Sequence, residues 1–277
     1  TLDAWRKAPD SLCAIFGAGG APDEPTTGIC AVEPASTEGN DAKQAGNPDE
    51  WTVAAKRKWL TENFNLKDSP CLRTKKDRED AVRLLLDHWA AISIDGEYGT
   101  TDLLVHEIHT KPGPPVKCRY RPVNPALEDD LKEQIERWKK HDVIEPAQSP
   151  WSFGLVAAPK KNGKIRWCVD YRALNNVTIK DQHPLPNISD NLNRLSRSTI
   201  FSGLDGCGAY HVVKIAEKDR GKTAFATPWG SFQFKSMPFG LCNAPATYCR
   251  LVQMVLDGVP YSMALPYLDD TCLHSRN

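Results

Sequence analysis

Apolar positions along the chain recur at two periods, and the period switches several times. Between Trp51 and about Ala91 the spacing is helical. "AVRLLLDHWAAI" sets Val82, Leu85, Leu86 and Trp89 three and four residues apart, as an amphipathic helix requires. A further helix is predicted after Asn124 and Pro125, which supply a cap and a first position, with Leu127, Leu131, Ile135 and Trp138 as its stripe. Glu128, Asp129 and Asp130 open that helix and Lys139, Lys140 and His141 close it, complementing its dipole. Its stripe is expected to pack on a sheet. "KPGPPVKCRYRPVNP", before it, reads as an extended, proline-stiffened connector.

Beyond Trp151 the period shortens to that of strands. "FGLVAAP" and "IRWCVDY" are joined by "KKNGK", whose Asn162-Gly163 is a strong hairpin signal. "IFSGLD", "YHVVKIA", "GSFQFKSM" and "ALPYL" are further strand candidates, and a helix is predicted from about Ala244 to Leu256. Helices and strands mix without regular alternation. The pattern therefore predicts an α+β fold with a partly antiparallel sheet.

Composition changes this picture mainly at the N-terminus. The first fifty residues are rich in Gly, Pro, Ser, Thr and acid, and too poor in apolar groups to offset the entropy of ordering, so disorder is expected there. "GAGG" lacks the Lys-Ser/Thr of a phosphate loop and reads as linker. No apolar run approaches membrane-spanning length and no secretory leader opens the chain, so neither is expected. The nine cysteines include no C-x-x-C pair, and reduced intracellular thiols are the expectation rather than a zinc cluster or disulfide framework. Formal net charge is zero, yet residues 23–50 hold seven acids and one lysine, while residues 150–200 hold eight Lys/Arg and three Asp. A local basic excess suits phosphate or nucleic acid, although a solvated surface would look the same.

Candidate chemistry centres on "LPYLDDTCLH". Asp269 and Asp270 stand side by side between apolar stretches, where like charges repel unless a cation lies near. A third carboxylate, Asp205, ends "IFSGLD" and is followed by small residues and then Tyr210. On neighbouring strands, Asp205 and Asp269 would bridge two Mg²⁺ ions about 3.5–4 Å apart, the arrangement of in-line phosphoryl transfer. Taken singly, Asp205 reads equally as a turn or cap residue and the pair as a polar hairpin tip.

The surrounding motifs decide between these readings. "APKKNGKIRWCVDYRALNNVT", "PLPNISDNLNRLSRSTIFSGLDGCGAY", "KTAFATPWGSFQFKSMPFGLCNAPATY" and "YLDD" stand in the order and spacing of reverse transcriptases. The chain resembles that family from about Ile108 to His274, and is most similar to the LTR retrotransposons of Ty3/gypsy type. The resemblance implies the fingers and partial palm of a right-hand polymerase. It also implies RNA-directed DNA synthesis: two Mg²⁺ ions, with Mn²⁺ as an alternative, would serve addition of deoxynucleoside triphosphates to a primer 3′-hydroxyl on an RNA or DNA template.

By the same resemblance Asp205, Asp269 and Asp270 are the catalytic, metal-binding carboxylates. Because adjacent strand residues point to opposite faces, Asp269 is the expected second direct ligand and Asp270 secondary. Lys161 and Arg166 match fingers residues that close on the triphosphate. Tyr210 matches the residue under the sugar that excludes a 2′-hydroxyl, and Phe239 borders nucleotide and template. Asp170 and Arg172 match a pair on the template side, where mutual structural pairing is the competing reading.

The chain departs from relatives at Gly208-Ala209-Tyr210, where S-G-Y is common, and at Val212, where Gln is common. Asp68-Ser69-Pro70 fails the protease motif at its third position. The predicted organisation is a disordered acidic linker over 1–50, a helical and extended spacer over 51–120, and fingers with partial palm over 121–277. Thumb and ribonuclease H regions of a parent polyprotein are expected as missing partners, and the alternative function is that of a truncated remnant which only binds nucleic acid. The expected setting is intracellular, without a membrane.

Overall fold

Local sequence signals set where the helices begin. The computed structural model describes residues 29–31, 48–64, 66, 69, 72–94, 98–159, 165–184 and 186–276. In chain order the first elements are β1 (Ile29–Ala31), α1 (Val53–Asn63), α2 (Lys75–Asp87), β2 (Thr101–His106), α3 (Glu128–Lys140), β3 (Ile144–Pro146), β4 (Leu155–Pro159) and β5 (Ile165–Val169). There follow α4 (Arg172–Val177), α5 (Ile188–Leu195), β6 (Ile200–Asp205), β7 (Val213–Ile215), α6 (Glu217–Arg220), β8 (Phe225–Thr227), β9 (Gly230–Phe234), α7 (Ala244–Val255), β10 (Ala264–Tyr267) and β11 (Asp270–Ser275). The helices and the mixed, largely antiparallel pairings agree with the α+β expectation.

The chain divides into two compact units. The first takes residues 1–99, 185–209 and 249–277. In it, α2 is opened by a reciprocal cap: the Asp77 N–H donates to Thr74 Oγ1 and the Thr74 N–H to Asp77 Oδ2, at 3.0 and 2.8 Å. Such a cap contributes about 0.5–2 kcal/mol. Leu60 and Phe64 beside α1's end pack with Val82 and Trp89, and the Trp59 ring meets Trp89 edge-on at 5.8 Å. Trp89 lies just beyond α2 in a short 3₁₀ turn, so the predicted stripe outlasts its α-helix. This unit also holds a four-stranded sheet in the order β1-β6-β11-β10, with β1 parallel to β6 and the other pairs antiparallel. The predicted disorder over 1–50 falls mostly outside the described residues, but β1 lies within that span.

The second unit takes residues 100–184 and 210–248. Asn124 caps a 3₁₀ turn at Pro125–Leu127 that runs into α3, so the predicted cap and first position open this turn and the α-helix itself begins at Glu128. Leu131, Ile135 and Trp138 are buried, and Trp138 lies edge-on to Phe225 of β8 and Phe234 of β9, at 6.2 and 5.5 Å. The stripe thus packs on the sheet β3-β9-β8. β4 and β5 pair antiparallel from Leu155↔Val169 to Pro159↔Ile165. Asn162-Gly163, predicted to turn between them, lies outside the described residues.

Two expectations change. "YHVVKIA" is a strand only at β7, because Ala209–Val212 winds into a 3₁₀ turn. β2 went unpredicted, yet it pairs in parallel with β7.

Candidate functional site

β6 and β11 set the acidic residues. They run antiparallel with Asp205 and Asp270 directly opposite, in a register that continues to Ile200 and Ser275. Opposed residues of an antiparallel pair present side chains on one face, with Cβ atoms about 4.5–5.5 Å apart. On its other side β11 meets β10, with Tyr267 opposite Asp270, so Leu268 and Asp269 form a two-residue turn. Leu268 has φ 53°, a left-handed conformation that leucine rarely adopts. A hairpin this tight demands it, and the surrounding pairing holds it.

Asp269 is bound to the end of β6 as well. Its carbonyl accepts from the Gly206 N–H at 3.1 Å, and Gly206 O in turn accepts from the Ala209 N–H at 3.1 Å. Gly208, inside that turn, has φ +57°, and a β-carbon there would collide with the Tyr98 ring. Glycine is required on both counts. Strand alternation ranked Asp269 above Asp270, but it applies only to strand residues, and Asp269 is a turn residue. The register faces Asp270 to Asp205, while the turn ties Asp269 to Gly206, so both border the end of β6.

Asp270 stays exposed at its surface, but partial desolvation first, and then the neighbouring Asp269 carboxylate, raise its carboxyl above the ordinary range. Crowded carboxylates of this kind favour a divalent cation. Among the described residues no group of three or more His, Cys, Asp or Glu side chains is placed so that it could hold a metal ion. The chemistry of the donors, carboxylate oxygens, is of the kind magnesium takes. That ion takes hard oxygens and is commonly held by one or two carboxylates, its other positions going to water and substrate phosphates.

Within the second unit, Tyr210 and Phe239 come together. Their ring centroids lie 4.8 Å apart, and Tyr248 meets Tyr210 edge-on at 5.7 Å. Phe239 remains 36% exposed. The loop that carries it is pinned by two amides that the sequence reading did not single out. Asn175 Nδ2 donates to Gly240 O at 2.8 Å and its Oδ1 accepts from the Cys242 N–H at 2.9 Å. Asn243 likewise receives the Asp181 N–H and donates to Ile179 O. Gly240 sits at φ +96°, where only glycine is comfortable.

Arg166 stands exposed on β5, opposite Ala158. Lys161 lies outside the described residues. Asp170 and Arg172 form a bidentate pair, Arg172 Nε to Oδ1 at 2.8 Å and Nη2 to Oδ2 at 2.7 Å. A third group, missed from sequence, joins them: Arg121 Nη2 lies 3.5 Å from Asp170 Oδ2. The hydrogen bond from Arg172 is the main cause that lowers the Asp170 carboxyl to about 2. Among the described residues no helix is long and apolar enough to cross a membrane.

A family model described as reverse transcriptase (RNA-dependent DNA polymerase) matches residues 158–277. An RNA-directed DNA polymerase homolog of Oenothera berteroana is 44% identical over 111 residues, covering 40% of this chain and 78% of that protein. The Pol polyprotein of Drosophila melanogaster transposon 297 is 31% identical over 182 residues, 64% of this chain and 17% of the polyprotein. The Tf2-3 transposon polyprotein of Schizosaccharomyces pombe is 31% identical over 159 residues, 57% of this chain and 12% of the polyprotein. The chain therefore spans less than a fifth of the transposon polyproteins it matches. Among solved structures, the prototype foamy virus protease-reverse transcriptase aligns with TM-score 0.71 at 19% identity, over 82% of this chain and 30% of that one. The foamy viral enzyme in complex with an RNA/DNA hybrid aligns with TM-score 0.70 at 20% identity, over the same shares. Likeness at these identities is a likeness of fold.

Proposed function

The chain belongs to the reverse transcriptase family, in the form carried by Ty3/gypsy-like LTR retrotransposons, and from that premise we propose that it carries out RNA-directed DNA synthesis. In this reading deoxynucleotides are joined to a primer 3′-hydroxyl on an RNA or DNA template. The observation that carries it is the register that faces Asp270 to Asp205, with Asp269 tied to the same strand end.

Divalent metal is general to the family. Asp205, Asp269 and Asp270 are the residues that would hold it here, as two magnesium ions with manganese able to substitute. When bound, the metal supplies Lewis-acid stabilisation of charge on the attacking and leaving oxygens of an in-line displacement. The remaining work falls to the protein's own side chains. Arg166 and Lys161 are assigned to the triphosphate oxygens, where a guanidinium fork binds in bidentate fashion and an ammonium acts as a point charge. Tyr210, whose ring packs against Phe239 and Tyr248, is assigned to the place beneath the sugar, where it would exclude a 2′-hydroxyl. Arg172, oriented by Asp170, faces the template strand.

Primer extension on an RNA template tests this, read beside Mn²⁺ binding by electron paramagnetic resonance. Asp205→Asn and Asp269→Asn keep side-chain shape and remove charge. Each should lower extension by on the order of 10²-fold or more and weaken Mn²⁺ binding. Extension and Mn²⁺ affinity unchanged in both variants would overturn the assignment.

A further inference from the structure

The extended connector between β2 and α3 carries three cations at alternate positions, Lys117, Arg119 and Arg121. All three are exposed, while Cys118 between the first two is half-buried. The segment is fixed in place rather than loose. The Cys118 N–H donates to Ser152 O at 2.8 Å and the Ser152 N–H to Val116 O at 3.2 Å, so the connector is tied to Ser152 by one parallel bridge centred on Lys117. Pro122 restricts Arg121 to extended backbone. In such a chain alternate residues recur every 6–7 Å or so, which spaces the three charges along one line.

The far end of this line is built into the fingers. The Arg121 stem lies over Gly154, whose carbonyl accepts from the Asp170 N–H at 2.9 Å. Its guanidinium reaches Asp170, which already holds Arg172. One carboxylate thus orients two arginines whose side chains stay 58% and 80% exposed, and the trio keeps a net positive charge. A guanidinium carries five N–H donors, so both heads retain donors after binding Asp170. Among the described residues neither Lys117 nor Arg119 takes part in an ion pair. A purely structural clasp would explain Arg121 but not the two unpaired cations in line with it.

We propose that the segment from Lys117 to Arg121, together with Arg172 held by Asp170, is a contact strip for the phosphates of a nucleic-acid backbone. The proposal rests on the reading that this chain works on a template, and it adds a surface outside the acidic centre and outside the positions assigned to the triphosphate. Contacts of this type position a strand without reading its sequence.

The test is binding of a fluorescently labelled RNA–DNA primer–template by anisotropy, from about 50 to 200 mM salt. Each lost phosphate contact flattens the dependence of log affinity on log salt by about 0.7–0.9. Lys117→Gln and Arg119→Gln break no ion pair, so each should fold normally and flatten the slope by that amount. The triple variant with Arg121→Gln should flatten it by about 2 or more, equally on templates of different sequence. Lys75→Gln with Lys76→Gln, exposed cations of α2, controls for net charge and should leave the slope unaltered. Wild-type slopes in the connector variants, or equal flattening in the α2 control, would overturn the strip and leave the polymerase reading intact. No binding by the wild-type chain would overturn both.

Discussion

At the scale of single residues, charge is legible in sequence only where it interrupts something. Asp205, Asp269 and Asp270 stand out because each breaks an apolar run. Arg121 sits in a polar, proline-rich stretch and gives no such signal, though its guanidinium shares the Asp170 carboxylate with Arg172. That carboxylate, lowered to about 2 mainly by the Arg172 hydrogen bond, makes a pH prediction. Its folded value lies below the unfolded value of about 3.9, so its stabilisation is present above that pH and lost as pH falls toward 2. Exposure of both arginine heads keeps the effect small. Asp170→Asn should lower the urea midpoint at neutral pH, and the gap to wild type should close between about pH 4 and 2. A gap that stayed constant across that window would mean the ionised carboxylate is not its source.

At the scale of elements, length decides what can be read. α3 has more than three turns, so its stripe and charge gradient agree, and the structure buries Leu131, Ile135 and Trp138 of the residues the period selects, while Leu127 falls in the preceding 3₁₀ turn and is half-buried. Leu131→Ala should therefore cost about 2–5 kcal/mol in chemical denaturation, with Lys132→Ala within about 0.5 kcal/mol of wild type. Similar losses at both positions would mean that α3 does not pack through this stripe. β3 and β7 have three residues each, too few to display a period, and only pairing to distant partners makes them strands. Asn175 and Asn243 were invisible for a related reason. Their amides serve backbone groups some sixty residues away, and such bonds leave no local pattern.

At the scale of the whole molecule, neither unit is a continuous stretch of chain. Residues 100–184 contain β2 and β3, but their partners β7 and β9 lie in 210–248. A fragment of residues 100–184 alone should show no cooperative thermal transition by circular dichroism, because two of its strands lose their ladders and Trp138 loses the rings it packs on. A sharp transition in that fragment would show that the segment closes its own core.

The amino-acid order was sufficient for the types of the long elements, the positions of the acidic residues and the resemblance to reverse transcriptases. All of these are written in short-range spacing. It was not sufficient to say that Asp270 faces Asp205 while Asp269 occupies the turn, that Tyr98 demands a glycine at 208, or that the connector is clasped to Asp170. Register and side-chain packing depend on contacts between residues far apart in the chain, and a strand shifted by one position would turn every side chain to the opposite face. Only the folded structure fixes that choice.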